Sequence, residues 1–103
     1  MRAQRLYGRT TTSGAPNKYA MTVRQPVGVA SLIIAANTPI VNVARKVCPA
    51  LICGNAAVLK AAEDTPATPW VFGRIARDAG LPDGVLGIVQ GFGEEAGALL
   101  AVD

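Results

Sequence analysis

Asn37 is a polar residue at the end of an apolar segment, directly before Thr38 and Pro39. The two N–H groups of its side-chain amide could stabilise an oxygen atom that gains negative charge during a reaction. An asparagine before a turn can also bond nearby backbone alone, and the local sequence leaves both interpretations open. Asn37 is therefore a candidate catalytic residue.

Lys60 and Glu63 form a second candidate site, after the short apolar segment 56–59. A carboxylate can accept hydrogen bonds from sugar hydroxyls, and an ammonium group can donate to the same sugar. Polar groups that follow buried strands lie where open α/β sheets bind their ligands. From the local sequence alone, a surface ion pair is the default interpretation.

A glycine-rich turn follows further along the chain. Gly91, Gly93 and Ala96 fit the pattern G-x-G-x-x-A, which binds dinucleotides where it joins a strand to a helix. Glu94 and Glu95 would repel a pyrophosphate at this helix start. A tight strand-to-helix turn is the favoured interpretation, although the glycines could still contact another part of a cofactor.

The spacing of apolar residues predicts the elements that position these side chains. Tyr19, Met21 and Val23 alternate with polar or small residues, which indicates a half-exposed strand in a hairpin arm over residues 1–24. Strands are then predicted over 28–34, 56–60 and 85–89, the first of them buried on both faces. Helices are predicted from Thr38-Pro39, from Thr65-Pro66 or Thr68-Pro69, and after Gly93. The expected fold class is α/β, with a partial Rossmann-like parallel sheet (β-α-β-α-β-α) preceded by the β-hairpin arm.

Composition excludes several classes of function. Half of the residues are hydrophobic and 17% are charged, which argues against disorder. The longest apolar segment, 27–36, is too short to span a bilayer, so no membrane partner is expected. Without a signal-peptide pattern, the expected location is cytoplasmic.

The basic residues lack an aromatic stacking pattern, which favours a solvated face or a subunit contact over nucleic-acid binding. Cys48 and Cys53 do not have metal-ligand spacing, so they are predicted to be packing residues and no metal is expected.

From about residue 24 to residue 100 the chain resembles the aldehyde dehydrogenase superfamily, with motif order and spacing both in agreement. Residues 7–23 resemble the arm that such enzymes use in subunit assembly, which implies a homo-oligomer for the full-length protein. The resemblance rests on the segments Arg24–Val29, Asn37-Thr38-Pro39, Cys48–Leu51, Gly54-Asn55, Val58–Pro66, Ala79–Leu86 and Gly91–Gly97.

The resemblance implies roles for individual residues. The Asn37 side chain would help to hold the thiohemiacetal oxyanion, and Lys60 and Glu63 would bond the adenosine ribose of a nicotinamide cofactor. Lys46 matches a position where the family often has lysine, and support of the helix is favoured there over a direct chemical role. The cofactor contacts that the resemblance implies are, in chain order, Ile33, Ile34, Ala36, Lys60, Glu63 and Gly93.

The sequence departs from the family pattern at two places. Ala35-Ala36 replaces the usual Pro-Trp, which predicts a wider tunnel for cofactor and substrate. Ala62 replaces a serine that could donate to a 2′-phosphate, while Glu63 would repel that phosphate. NAD is therefore the expected cofactor, with NADP possible.

The family's nucleophilic cysteine and general-base glutamate match no residue of this chain. We therefore expect these residues to be part of a longer NAD(P)-dependent dehydrogenase that oxidises an aldehyde to a carboxylic acid, and to be inactive alone. Residues 25–103 would form a partial, truncated NAD(P)-binding domain. The alternatives are a non-catalytic packing or assembly module, or a CoA-acylating or semialdehyde dehydrogenase of the same superfamily.

Overall fold

The computed structural model describes residues 6–102, and its elements follow the predicted order. Residues 1–5 of the predicted arm and Asp103 lie outside the described residues. None of the helices in this part of the chain has the length and apolar character that a membrane crossing requires. The elements are strands β1 (Arg9–Thr12), β2 (Tyr19–Thr22) and β3 (Val29–Ile33), helix α1 (Pro39–Ile52), strand β4 (Ala56–Lys60), helix α2 (Ala67–Asp78), strand β5 (Leu86–Val89), and a π-helical turn (Gly93–Gly97) that continues into helix α3 (Ala98–Val102).

The N-terminal strands form the predicted hairpin. β1 pairs with β2 in an antiparallel ladder, with Thr12 opposite Tyr19, and both strands are exposed along their whole length. Asn17 in the connecting turn has a φ of 60°, a left-handed conformation that asparagine tolerates better than most residues. The Arg24 side chain donates a hydrogen bond from Nε to the Tyr7 carbonyl at 3.1 Å, which ties the two ends of the hairpin together.

The other three strands form a parallel sheet in the order β3-β4-β5. Ile33 lies opposite Lys60, and Lys60 lies opposite Val89. Because all three strands run in one direction, the segments that follow them leave the sheet at the same end. The predicted α/β architecture is confirmed.

Helices α1 and α2 cover one face of this sheet. Val43 and Val47 of α1 are fully buried in a cluster with Leu59 of β4 and with Ile34. Phe72 of α2 packs against the same cluster. The two helices therefore share one core, and they hold the carboxyl ends of β3 and β4 in fixed positions.

The prediction that the first parallel strand is buried on both faces is wrong for the described residues. Val29, Ser31 and Ile33 are exposed, and they alternate with the partly buried Ala30 and Leu32. Side chains of a strand point alternately to its two faces. Helices α1 and α2 cover only one of these faces, so every second residue of β3 remains accessible.

Candidate functional site

Lys60 and Glu63 contact each other at the carboxyl end of the sheet. Lys60 is the last residue of β4 and is only 2% exposed, which is unusual for lysine and requires a partner for its charge. Its Nζ lies 3.2 Å from Oε2 of Glu63, whose side chain is 47% exposed. The sequence-predicted pair is therefore an ion pair with a buried ammonium group and an accessible carboxylate.

The turn after β5 adds a third member to this cluster. The Gly93 N–H donates a hydrogen bond to Oε2 of Glu63 at 3.1 Å. Gly93 begins the π-helical turn, and it is brought here by the pairing of β4 with β5. Gly91, with a φ of 144°, makes the sharp exit from the strand that places Gly93 beside Glu63.

The charge state of Glu63 follows from these contacts. The hydrogen bond from Lys60, supported by the one from the Gly93 N–H, holds the pKa of the Glu63 carboxyl below its ordinary value, against the opposing effect of desolvation. The carboxylate is therefore ionised at neutral pH. Both protein donors bind Oε2, and no hydrogen bond in the described part of the chain uses Oε1.

A second polar cluster surrounds Asn37, in the turn between β3 and α1. Asn37 is exposed, and its Oδ1 accepts a hydrogen bond of 3.2 Å from Nδ2 of Asn42. Nδ2 of Asn42 also donates to the Ala35 carbonyl at 3.3 Å. Lys46 lies one helical turn beyond Asn42, and its Nζ donates to the carbonyl of Ile33. The first turns of α1 thus hold the carboxyl end of β3 through side-chain bonds.

Asn42 is the residue of this cluster that sequence reasoning missed. It is the one polar side chain among the apolar residues Ile40, Val41 and Val43 at the start of α1. A helix residue one turn from its N-terminus lies close to the preceding turn. The signal was therefore present, but the bond to Asn37 depends on the shape of the turn that α1 begins from.

The remaining predicted residues differ in accessibility. Ile33 is exposed and Ala36 is half-buried at the end of β3. Ile34 is 4% exposed, because its side chain belongs to the core with Val43 and Leu59. Only the main chain of Ile34 is left for contact with a ligand.

The two polar clusters lie at the same end of the sheet without direct contact. The Ile34 N–H donates to the Lys60 carbonyl at 3.3 Å, which joins the exits of β3 and β4. Between residues 6 and 102, no hydrogen bond connects Asn37 with Lys60, Glu63 or Gly93. The fold therefore presents two separate polar groups along one end of the sheet.

The cysteines do not take part in either cluster. Cys48 and Cys53 are free thiols, both partly buried, within and just after α1. Within the described range no group of three or more His, Cys, Asp or Glu residues is arranged to hold a metal ion.

Comparison with known proteins gives one family over the whole chain. The sequence pattern of the aldehyde dehydrogenase family matches residues 1–103. Aldehyde dehydrogenase family 2 member B4, mitochondrial, of Arabidopsis thaliana is 48% identical over 99 residues, which are 96% of this chain and 18% of that protein. NADP/NAD-dependent aldehyde dehydrogenase PuuC of Escherichia coli strain K12 is 42% identical over 97 residues, 94% of this chain and 19% of that protein.

The backbone agrees as well. The NAD⁺ complex of aldehyde dehydrogenase from Bacillus cereus matches 95% of this chain with a TM-score of 0.87 and 37% identity, and the match covers 20% of that chain. The present chain spans 18% of the length of the first curated relatives it matches. The sequence and structural matches cover 94–96% of the chain, and the family pattern covers all of it, so the chain belongs to the aldehyde dehydrogenase family.

Proposed function

We propose that the whole protein is an NAD(P)-dependent dehydrogenase that oxidises an aldehyde to a carboxylic acid. The observation that carries the proposal is the cluster of Lys60, Glu63 and Gly93 at the carboxyl end of the sheet. Family membership supports the class of reaction. One relative is named as NADP/NAD-dependent, and one similar structure is an NAD⁺ complex. The nicotinamide ring of such a cofactor, when bound, supplies the acceptor for a hydride.

The cluster has the hydrogen-bonding groups that a ribose requires. Oε1 of Glu63 is an acceptor for a sugar hydroxyl, because both protein donors use Oε2. The Lys60 side chain is only 3% exposed, and its ammonium group donates to Glu63, so it holds the carboxylate in place and keeps it charged. We assign the adenosine ribose to the Glu63–Lys60 pair, with Glu63 as the accessible partner and Gly93 on the adenine side. Cleft lining is assigned to Ile33, to Ala36 and to the main chain of Ile34.

The charge of Glu63 favours NAD over NADP. The contacts with Lys60 and Gly93 lower the pKa of this carboxyl, so it carries a full negative charge at neutral pH. A 2′-phosphate on the ribose would lie beside this charge and be repelled. Ala62 offers no hydroxyl that could offset the repulsion. NADP is expected to bind, but more weakly.

Asn37 is assigned to the oxyanion of the thiohemiacetal, as a side-chain donor. The nucleophilic cysteine and the general base are assigned to parts of the enzyme other than these residues. Cys48 and Cys53 are partly buried along α1 and are assigned to packing. The 103 residues alone should form no NADH from NAD and an aldehyde, and aldehyde-dependent NADH formation by them would contradict this division of roles.

The hairpin is assigned to contact between subunits of a homo-oligomer. Tyr19 and Met21 project from β2 with most of their surface exposed, as does Val23 just after the strand. A row of large apolar side chains on an exposed strand supports a protein partner. In the full-length protein, the double substitution Tyr19→Ser and Met21→Ser should lower the oligomeric mass measured by light scattering. An unchanged mass would refute the assignment.

Glu63→Gln in the full-length protein tests the cofactor assignment. The substitution keeps the shape of the side chain and removes its charge. Sugar hydroxyls bond a charged carboxylate more strongly than a neutral amide, so NAD affinity should fall by about 10- to 100-fold. NADP affinity should fall less, because the repulsion of the phosphate is lost as well.

Glu94→Gln is the matched control for this experiment. Glu94 is an exposed acid in the first turn after Gly93 and is assigned no contact with the cofactor. Its variant should bind NAD as the wild type does, by calorimetric titration. Wild-type NAD affinity in Glu63→Gln would refute the ribose assignment. A full-length wild type that binds no NAD would favour a non-catalytic module.

A further inference from the structure

The Asn42 side chain uses both hydrogens of one nitrogen atom. Nδ2 donates to the Ala35 carbonyl at 3.3 Å and to Oδ1 of Asn37 at 3.2 Å. Asn42 is held in place because it lies in the first turns of α1, where its own N–H donates to the Thr38 carbonyl at 2.9 Å. A helix residue thus bonds both the main chain and a side chain of the turn before it.

The Ala35 carbonyl determines how both amides are oriented. A main-chain carbonyl can only accept, so Asn42 must present its nitrogen rather than its oxygen there. The same nitrogen has one hydrogen left, and this hydrogen requires an acceptor on Asn37. If the Asn37 amide were rotated by half a turn, two NH₂ groups would face each other. Oδ1 of Asn37 is therefore directed to Asn42.

We propose that Asn42 is a positioning residue that fixes the Asn37 amide with its nitrogen available to the reacting oxygen. This inference rests on the proposed function, in which Asn37 donates to an oxyanion. With Oδ1 bonded to Asn42, the hydrogens of Asn37 Nδ2 are left for the substrate, and no hydrogen bond in the described range uses them. A group that is oriented before the reaction stabilises developing charge without the cost of reorienting.

Asn42→Asp and Asn42→Leu in the full-length enzyme separate this role from a structural one. Aspartate has nearly the same shape but only acceptors, so Asn37 should turn its nitrogen toward Asp and its oxygen toward the reacting centre. Loss of one oxyanion donor lowers kcat by about 100-fold or more, and Asn42→Asp should approach the loss measured for Asn37→Ala. Leucine only frees the Asn37 amide to rotate, and kcat should fall by about tenfold or less.

Both variants also test a merely structural role. Each loses the hydrogen bond to the Ala35 carbonyl, and the Asp carboxylate faces that carbonyl as a second acceptor, although it interacts favourably with the dipole of α1, whose first turn has no acid. A merely structural role therefore predicts losses of kcat that remain when Asn37 is replaced by Ala. The affinity for NAD should be unchanged in both variants, because Lys60 and Glu63 make no hydrogen bond with the Asn37 cluster.

A double-mutant cycle completes the test. In an Asn37→Ala background, neither Asn42→Asp nor Asn42→Leu should lower kcat further, because no amide is left to orient. If Asn42→Asp does not fold, Asn42→Leu alone still tests the proposal, because the decrease in kcat that it causes must be absent in the Asn37→Ala background.

The outcomes distinguish this inference from the function it rests on. Wild-type kcat in Asn37→Ala would overturn the oxyanion role and the positioning role with it. If Asn37→Ala is impaired but Asn42→Asp is no worse than Asn42→Leu, only the positioning role is overturned. Additive decreases in kcat in the double variants would likewise overturn only the positioning role.

Discussion

Asn55 connects three parts of the fold through one side chain, and its replacement is expected to loosen the entry to the parallel sheet. Its Oδ1 accepts hydrogen bonds from the N–H groups of Val27 and Gly28 at 2.7 and 3.1 Å. Its Nδ2 donates to the Ala50 carbonyl at 3.1 Å. The segment that enters β3 is thereby fixed to the end of α1, next to the first residue of β4.

Asn55→Ala removes all three hydrogen bonds. One such bond contributes about 0.5–1.5 kcal/mol net, so three correspond to about 1.5–4.5 kcal/mol. The two backbone donors are exposed and can bond water in the variant, which favours the lower part of this range. We expect a loss of about 2 kcal/mol in the local opening free energy, equivalent to about 30-fold faster amide exchange.

Hydrogen exchange measured by mass spectrometry on the full-length protein provides the assay. The Val27 and Gly28 amides should exchange faster in Asn55→Ala but remain protected in Asn55→Asp, which keeps the acceptor and loses only the bond to Ala50. Gln90→Ala is the control, because Gln90 makes a single exposed bond to the Pro66 carbonyl. Unchanged exchange in Asn55→Ala, or equal acceleration in Asn55→Asp, would refute the reasoning.

Three further predictions concern the cofactor cluster and the core. Gly93→Pro removes the N–H that donates to Glu63, and proline fits this position because it begins a helical turn after the extended Phe92. By titration, NAD should therefore bind about 3- to 10-fold more weakly to Gly93→Pro than to Gly93→Ala, which keeps the N–H and adds a methyl group in ordinary contact with Oε2 of Glu63. Equal binding by these two variants would contradict this. Folding lowers the pKa of Glu63, so its ion pair stabilises the protein at pH values above about 4.3, the ordinary pKa of a glutamate side chain. This stabilisation is lost as the pH falls through the lower pKa of the folded state. Thermal melting of Glu63→Gln should therefore depend less on pH below about 4.3, and identical pH profiles would count against it. Leu59 is fully buried, and Leu59→Ala should lower the free energy of unfolding by about 2–5 kcal/mol. Leu99 is 72% exposed, and Leu99→Ala should lower it by less than about 0.5 kcal/mol. Similar melting temperatures for the two variants would argue against the described core.

Local sequence signals predicted most of the architecture. β4 has the predicted bounds, and α1 begins at Pro39 as the Thr-Pro pair indicated. The Thr38 hydroxyl, however, makes no capping hydrogen bond. Of the Thr-Pro pair, it is therefore the proline, with its fixed φ, that favours the helix start. For α2, the two Thr-Pro pairs were equivalent in sequence, and the helix begins at Ala67 directly after Pro66. Only packing could decide between them, because Pro69 is buried in the first turn.

The contacts within the candidate site were less predictable. Lys60 and Glu63 are three residues apart, and their ion pair follows from local spacing. The bond from Gly93 to Glu63 spans 30 residues and depends on the pairing of β4 with β5. The burial of Ile34 depends on α1 covering one face, which the apolar segment alone does not specify.

Within residues 6–102, β3 pairs with one strand only, β4, so the main-chain groups along its other edge have no strand partner, and its Val29 and Ile33 side chains are exposed. Such a strand is a template on which a second copy can extend the ladder by self-association. Residues 1–103 produced by themselves should therefore aggregate as their concentration rises.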